Sequence, residues 1–224
     1  MSCTISVRIC RQNGRLLELE MTLDYLECLV NKVIEAGRSW EGSSDTAELA
    51  SLARLARSAD VKVIGEIGFN CGLSSYTFLD ANPDVLVYSF DMVEFDYVVP
   101  AKQYIDEMYP GRHTLIPGNS TTSVPEFAFA NPRLKFDLIF IDGGHSYEIA
   151  KSDLLNMKHF ATEKTILVVD DITPWNYWGV GPTRAWQDAI SAGMVSQEAL
   201  FKDGVAVTAI EPPGNRSWVV GKYL

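Results

Sequence analysis

The chain has 224 residues, 47% of them hydrophobic and 21% charged, and a formal net charge of −10 at neutral pH. That balance belongs to an ordinary globular protein, long enough for one α/β domain with a full core. The acidic charge and the lack of any Lys/Arg cluster exclude a nucleic-acid or anionic-membrane surface, since phosphate demands a basic footprint, and leave a small molecule as the expected partner.

The start, Met1 to Cys10, has no continuous apolar h-region, and no window approaches the ~20 apolar residues of a membrane span, so a cytoplasmic chain is expected. Cys3, Cys10, Cys28 and Cys71 show neither metal spacing nor a dense framework, which reads as free thiols in a reducing compartment. Met21 to Ala36 has the periodicity of an amphipathic helix, with Leu23, Leu26, Val30, Val33 and Ile34 on one side and Gly37 ending it. Residues 1–44 read as a helical cap or lid, and residues 45–224 as one compact domain opening with a helix from Asp45 or Thr46 to Ser58.

Strands are then predicted at Val61–Ile67, Val85–Asp91, His113–Pro117, Phe136–Asp142 and Thr165–Asp170. Helices fill the gaps at about Ser74–Leu79, Ala101–Met108, Ser146–His159 and Pro182–Ala192. This alternation builds a parallel sheet with helices on both faces. Gly204–Ile210 and Ser217–Tyr223, parted by the turn-rich Glu211 to Asn215, read as a terminal hairpin.

The first strand runs into Glu66-Ile67-Gly68-Phe69-Asn70-Cys71-Gly72-Leu73-Ser74-Ser75, an apolar run breaking into glycines ahead of a helix. Gly68 and Gly72 leave no Cβ in a ligand's way, and the following helix aims unpaired N–H groups at the turn. The spacing lacks the three-glycine order of the dinucleotide fingerprint. It resembles the first motif of class I S-adenosylmethionine-dependent methyltransferases, and that resemblance puts Glu66 toward the methionine end of the cofactor. Asp91 ends the next strand 25 residues beyond Glu66, the place of a carboxylate that takes ribose hydroxyls; a helix cap or loop aspartate is the other reading.

Two further apolar strands end in acid, at Asp142 and at Asp170-Asp171. Ligands of open α/β sheets gather outside the carboxyl ends of the strands, so these carboxylates converge on one crevice, where their repulsion calls for a cation. An oxygen-only set suits Mg²⁺ or another hard divalent cation, while simple helix capping by Asp142 and Asp171 stands as the alternative. His145, three residues past Asp142 at a helix start, is the candidate general base.

The combination resembles the metal-dependent small-molecule O-methyltransferases of the catechol and macrocin types over about Glu41 to Trp186. The resemblance implies a Rossmann-like, seven-stranded, mostly parallel sheet with a C-terminal antiparallel hairpin. It implies S-adenosylmethionine held by Glu66, Gly68, Asn70, Gly72, Ser74, Asp91, Asn119, Ser120 and Asp142, with Asn119-Ser120 near the adenine, the other reading of Ser120 being the N-cap of the next turn. It implies a cation on Asp142, Asp170 and Asp171, although the catechol type has asparagine at the last of these. Asp142-Gly143-Gly144-His145 favours the sugar-modifying branch, with His145 as base and a natural-product, sugar or catechol-like hydroxyl as acceptor. Trp175, Tyr177 and Trp178, in a loop after the last acidic strand, and Arg184 beyond it are read as lining the substrate pocket, with a hydrophobic plug and an ion pair as their alternatives. A metal-independent methyltransferase acting on nitrogen or oxygen, a binding protein retaining the fold, and a homo-oligomer all stay open.

Overall fold

The computed structural model describes residues 15–38, 42 and 44–224, with side chains described from Tyr25 onward. The expectations placed on Met1 to Cys10 and on the side chain of Leu23 lie outside these residues. Among the described residues the chain opens with helices α1 (Arg15–Glu35) and α2 (Thr46–Ala56), then alternates β1 (Val63–Ile67), α3 (Leu73–Ala81), β2 (Leu86–Asp91), α4 (Val98–Met108), β3 (His113–Pro117), α5 (Ser120–Ala130), β4 (Leu138–Ile141), α6 (Tyr147–Met157), β5 (Ile166–Val169) and α7 (Val180–Ser191). It finishes with β6 (Val195–Lys202), the two-residue β7 (Val205–Ala206) and β8 (Ser217–Tyr223).

The sheet order is β3-β2-β1-β4-β5-β8-β6-β7, the first five strands running parallel and the last three antiparallel. Side chains alternate between faces, so each strand feeds two cores. Leu138, Phe140 and Val168 pack with Leu26, Leu49, Leu52, Tyr76 and Ile105 of α1 to α4. Ile139, Ile141, Leu167 and Val169 pack with Val124, Leu154, Trp186 and Ala189 of α5 to α7. The chain reverses direction across the sheet between β1 and β4, which makes the crevice above their carboxyl ends the ligand position of a doubly wound fold.

Two elements correct the sequence reading. The hairpin partner of β8 is β6 and not Gly204–Ile210, of which only Val205 and Ala206 are strand, giving eight strands where seven were expected. Val195 and Leu200 lie an odd number of residues apart, yet both enter the same core because a register shift between Gln197 and Ala199 resets the alternation. That bulge erases the period of two from the sequence. Helix α5 is the second: Pro125 inside it, among β-branched neighbours, hides it from a periodicity reading.

Candidate active site

Strand register sets the site. Ile67 pairs with Phe90 on one side and Ile141 on the other, and Ile141 pairs with Val169. Gly68, Asp91, Asp142 and Asp170 therefore follow at one level along the carboxyl edge. The turn after β1 needs left-handed backbone three times, at Gly68 (φ 93°), Asn70 (φ 50°) and Gly72 (φ 82°). A Cβ on Gly68 would sit 1.9 Å from the carbonyl oxygen of Asp142, so glycine here is what lets β1 and β4 close at the switch point.

Asp91 holds this turn. Its Oδ2 accepts from the backbone N–H groups of Phe69 and Asn70, each at 2.9 Å, and its Oδ1 accepts from Val93 N–H at 2.7 Å. A carboxylate has about four lone-pair positions, so acceptor capacity is left for hydroxyls lying above the turn. Helix α3 begins at Gly72 with no side chain capping it, which leaves the first-turn N–H groups to an anionic ligand.

Glu66 is fully buried beneath that helix and accepts from the hydroxyls of Ser74, Ser75 and Ser89. Burial pushes its carboxyl above the usual range, and the three hydroxyls pull it back. Ser74, expected against the cofactor, is thus committed to Glu66. Ser75 and Ser89 also contact the buried His113 through Nε2, at 3.2 and 2.9 Å. Since both hydroxyls donate to Glu66, they accept from His113 Nε2–H. Asn119 rather than Ser120 caps α5, its side chain accepting from Thr121 N–H at 2.9 Å, and Gly118 N–H bonds the carbonyl of Asp91 at 2.8 Å. The expected adenine segment therefore does lie beside Asp91.

Two of the expected acids, Asp142 and Asp170, come together, and Glu48 of α2 joins them. Glu48, Asp142 and Asp170 each place an oxygen within 4.8 Å of the others, and among the described residues this is the group with metal-ligand spacing. Both oxygens of Glu48 and both of Asp170 are buried, and no well-aligned donor satisfies them, the two carboxyls being each other's neighbours. Burial, then the charges of Asp170 and Asp142, raises Glu48 well above the carboxylate range; burial, then Asp170 and Asp171, does the same to Asp142. Burial and Asp171 likewise raise Asp170. Arg216 faces all of them: burial works against its charge, while Asp170, Glu48, Asp171 and Asp142 more than restore it.

Asp171 sits apart from that group. It turns the chain through a left-handed φ of 60° and places Oδ2 2.9 Å from Nε2 of His145. Nε2 of His145 thus faces a carboxylate that orients the ring. The turn carrying His145 is fixed by α7, where a Cβ on Gly181 would meet the His145 carbonyl at 2.2 Å. Behind this turn, Asp153 of α6 is fully buried, and burial lifts its carboxyl to about 6. Trp175 donates from Nε1 to the Gly214 carbonyl at 2.8 Å, while Tyr177 is 87% exposed and stands edge-on to Trp178. Arg184 stacks over the Tyr147 ring at 4.2 Å and lies on the exterior.

The model of a family described as "Methyltransferase domain" matches residues 66–172, which span the glycine turn, Asp91, His145 and the paired aspartates. Residues 66–172 form a methyltransferase domain. The carboxyl-edge crevice is built largely from these residues. Solved structures agree in fold. An O-methyltransferase from Bacillus cereus in complex with SAH superposes with a TM-score of 0.70 at 15% identity, over 97% of this chain and 94% of that one. TomG from Streptomyces achromogenes, an O-methyltransferase of tomaymycin synthesis in complex with SAM, gives 0.65 at 15% identity over 96% and 92%. CalS11, a TDP-rhamnose 3'-O-methyltransferase of calicheamicin biosynthesis, gives 0.58 at 18% identity over 94% and 96%. No curated protein sequence matches the chain. None of the described helices is long and apolar enough to cross a membrane.

Sequence reading missed Glu48, Arg216 and His113. Glu48 left one signal: it falls four residues before Leu52 and eight before Ala56, on the stripe that α2 buries. A carboxylate on an apolar stripe asks for a partner.

Proposed function

We propose that this chain is a methyltransferase that uses S-adenosylmethionine to methylate a hydroxyl of a small molecule, with a hard divalent cation such as Mg²⁺ assisting. The observation that carries the reading is the set of buried carboxylate oxygens on Glu48 and Asp170 beside Asp142, next to an imidazole held by its own carboxylate. The glycine turn supports the cofactor assignment. Asp91 orients the turn and offers its remaining lone pairs to ribose hydroxyls, and the uncapped start of α3 receives the methionine carboxylate. S-adenosylmethionine supplies an electrophilic methyl on a sulfonium.

For the cation, Asp142 and Asp170 are the common core of the site, with Asp171 as the third ligand in the resemblance to sugar O-methyltransferases. A bound hard cation would supply charge that acidifies an acceptor hydroxyl and fixes its orientation. His145 takes the hydroxyl proton while Asp171, beside its ring, steadies the imidazolium that forms. Helix α1 acts as a cap: its Leu26, Leu29 and Val33 join the first core, and Tyr25 meets Tyr104 of α4 at 4.4 Å. The loop bearing Trp175, Tyr177 and Trp178 closes the acceptor side.

Arg216 favours a second reading, a metal-independent methyltransferase in which the guanidinium neutralises the acids from within. Dialysis against EDTA separates the two. Turnover of S-adenosylmethionine on a panel of sugar, catechol and macrolide hydroxyls is lost on dialysis and restored by Mg²⁺ in the first case, and unchanged in the second. A protein that gives no calorimetric heat with S-adenosylmethionine refutes both.

A further inference from the structure

We propose that Glu48 of helix α2 is a ligand of the cation together with Asp142 and Asp170, and that Asp171 serves His145 instead. This rests on the cation reading above and changes its ligand set. Asp45-Thr46-Ala47-Glu48 has the form of a capping box, in which the acid at the third helical position reaches back to the cap residue's N–H. Half of that box is made: Asp45 Oδ1 accepts from the N–H of Ala47 and of Glu48, each at 2.9 Å. The other half is not: the Glu48 carboxylate is buried, receives no donor from the backbone, and turns one oxygen to within 4.8 Å of an oxygen of Asp142 and of Asp170, its carboxyl neighbour. A wholly buried carboxylate that faces two others is placed for a positive ligand.

Arg216 does not fill that need alone. It faces four carboxylates, Asp170, Glu48, Asp171 and Asp142, with one charge. A divalent cation on Glu48, Asp142 and Asp170 brings three oxygens from three separate elements, α2 and the ends of β4 and β5, onto one ion, and waters and acceptor oxygens complete its shell. Asp171 is already committed to His145 Nε2 at 2.9 Å. Moving it onto the ion would release the imidazole. The cation then bridges the cap-proximal helix to the strand ends, so its binding also orders α2 against the domain.

The test is Mn²⁺ binding, followed by loss of the free-ion paramagnetic resonance signal, on the full chain and on Glu48→Gln, Glu48→Asp, Asp170→Asn and Asp171→Asn. The expected result is a loss of Mn²⁺ affinity of about tenfold or more in Glu48→Gln and Asp170→Asn, and a change within about threefold in Asp171→Asn. Metal-free Glu48→Gln melts above the wild type, because a buried like charge is gone, and Mn²⁺ raises the melting temperature of the wild type more than that of the variant. Glu48→Asp keeps the charge but withdraws it by one methylene, and so loses affinity without losing the fold. Wild-type Mn²⁺ affinity in both Glu48 variants, or a loss in Asp171→Asn equal to that in Asp170→Asn, overturns the ligand set while leaving the cation reading intact. A wild-type chain that binds no Mn²⁺ overturns both.

Discussion

Asp171 places its Oδ2 2.9 Å from Nε2 of His145, from a residue held in left-handed backbone at the end of β5. Few L-residues tolerate that conformation, and aspartate is among those that do. The same φ that separates Asp171 from Asp170 lets two adjacent acids serve different partners. One faces the buried acidic group; the other steadies a base.

His145→Ala should lower kcat by about 10²–10⁴ while leaving Mn²⁺ affinity nearly constant, since general-base catalysis contributes that range. Asp171→Asn should lower kcat as well and move the acid limb of kcat/KM to lower pH, because the carboxylate that favours the protonated ring is gone. The pH profile of the wild type and both variants checks the pair. A His145→Ala protein with wild-type turnover and an unchanged acid limb refutes the assignment.

Asp91→Ala should weaken S-adenosylmethionine binding by about 1.5–3 kcal/mol and also lower the melting temperature. The second effect follows from the three backbone N–H groups, of Phe69, Asn70 and Val93, that lose their acceptor. Calorimetry with S-adenosylhomocysteine and a thermal melt measure the two independently. A stability loss with unchanged affinity makes Asp91 a brace of the turn and nothing more.

The parallel strands, the glycine turn and the acids at the strand ends were legible because each rests on a local pattern: an apolar run, a small residue, a carboxylate. The sequence could not display what depends on register. Asp142 and Asp170 look alike in the chain, yet pairing of Ile141 with Val169 is what sets them side by side. Glu48 and Arg216 come from helix α2 and the segment before β8, far from the motif in sequence, and only folding brings them to it. Strand β6 was hidden by its bulge and helix α5 by Pro125, two cases where a single residue breaks the periodicity that identifies the element.

Gly68→Ala should destabilise the protein severely, by more than about 3 kcal/mol, and impair cofactor binding with it. Two penalties act together: a left-handed φ of 93° and a Cβ 1.9 Å from the Asp142 carbonyl oxygen. Gly37→Ala is the control, because it shares a positive φ of 65° but its Cβ meets nothing within 4 Å. Urea denaturation of both separates backbone strain from the clash; equal losses would mean that close packing of β1 on β4 contributes nothing.

The His113 network predicts a pH dependence of stability. Burial, then the positive charge of Lys102, lowers this imidazole to about 3, and its Nδ1 is buried without a partner to receive a second proton's hydrogen bond. The Glu66 carboxylate favours the charged ring, but three serine hydroxyls already neutralise its acceptor sites. In the unfolded chain a histidine takes up a proton near pH 6.5, which the folded protein refuses until about 3. The unfolded state thus binds more protons across that window, and stability falls as pH drops from about 6.5 toward 3. Between pH 7 and pH 5 this one residue should cost about 2 kcal/mol. Urea melts of wild type and His113→Asn at both pH values isolate it from the acids, which titrate in both proteins: the wild type should lose about 2 kcal/mol more than the variant. An equal loss in the two would show that His113 becomes protonated within the fold.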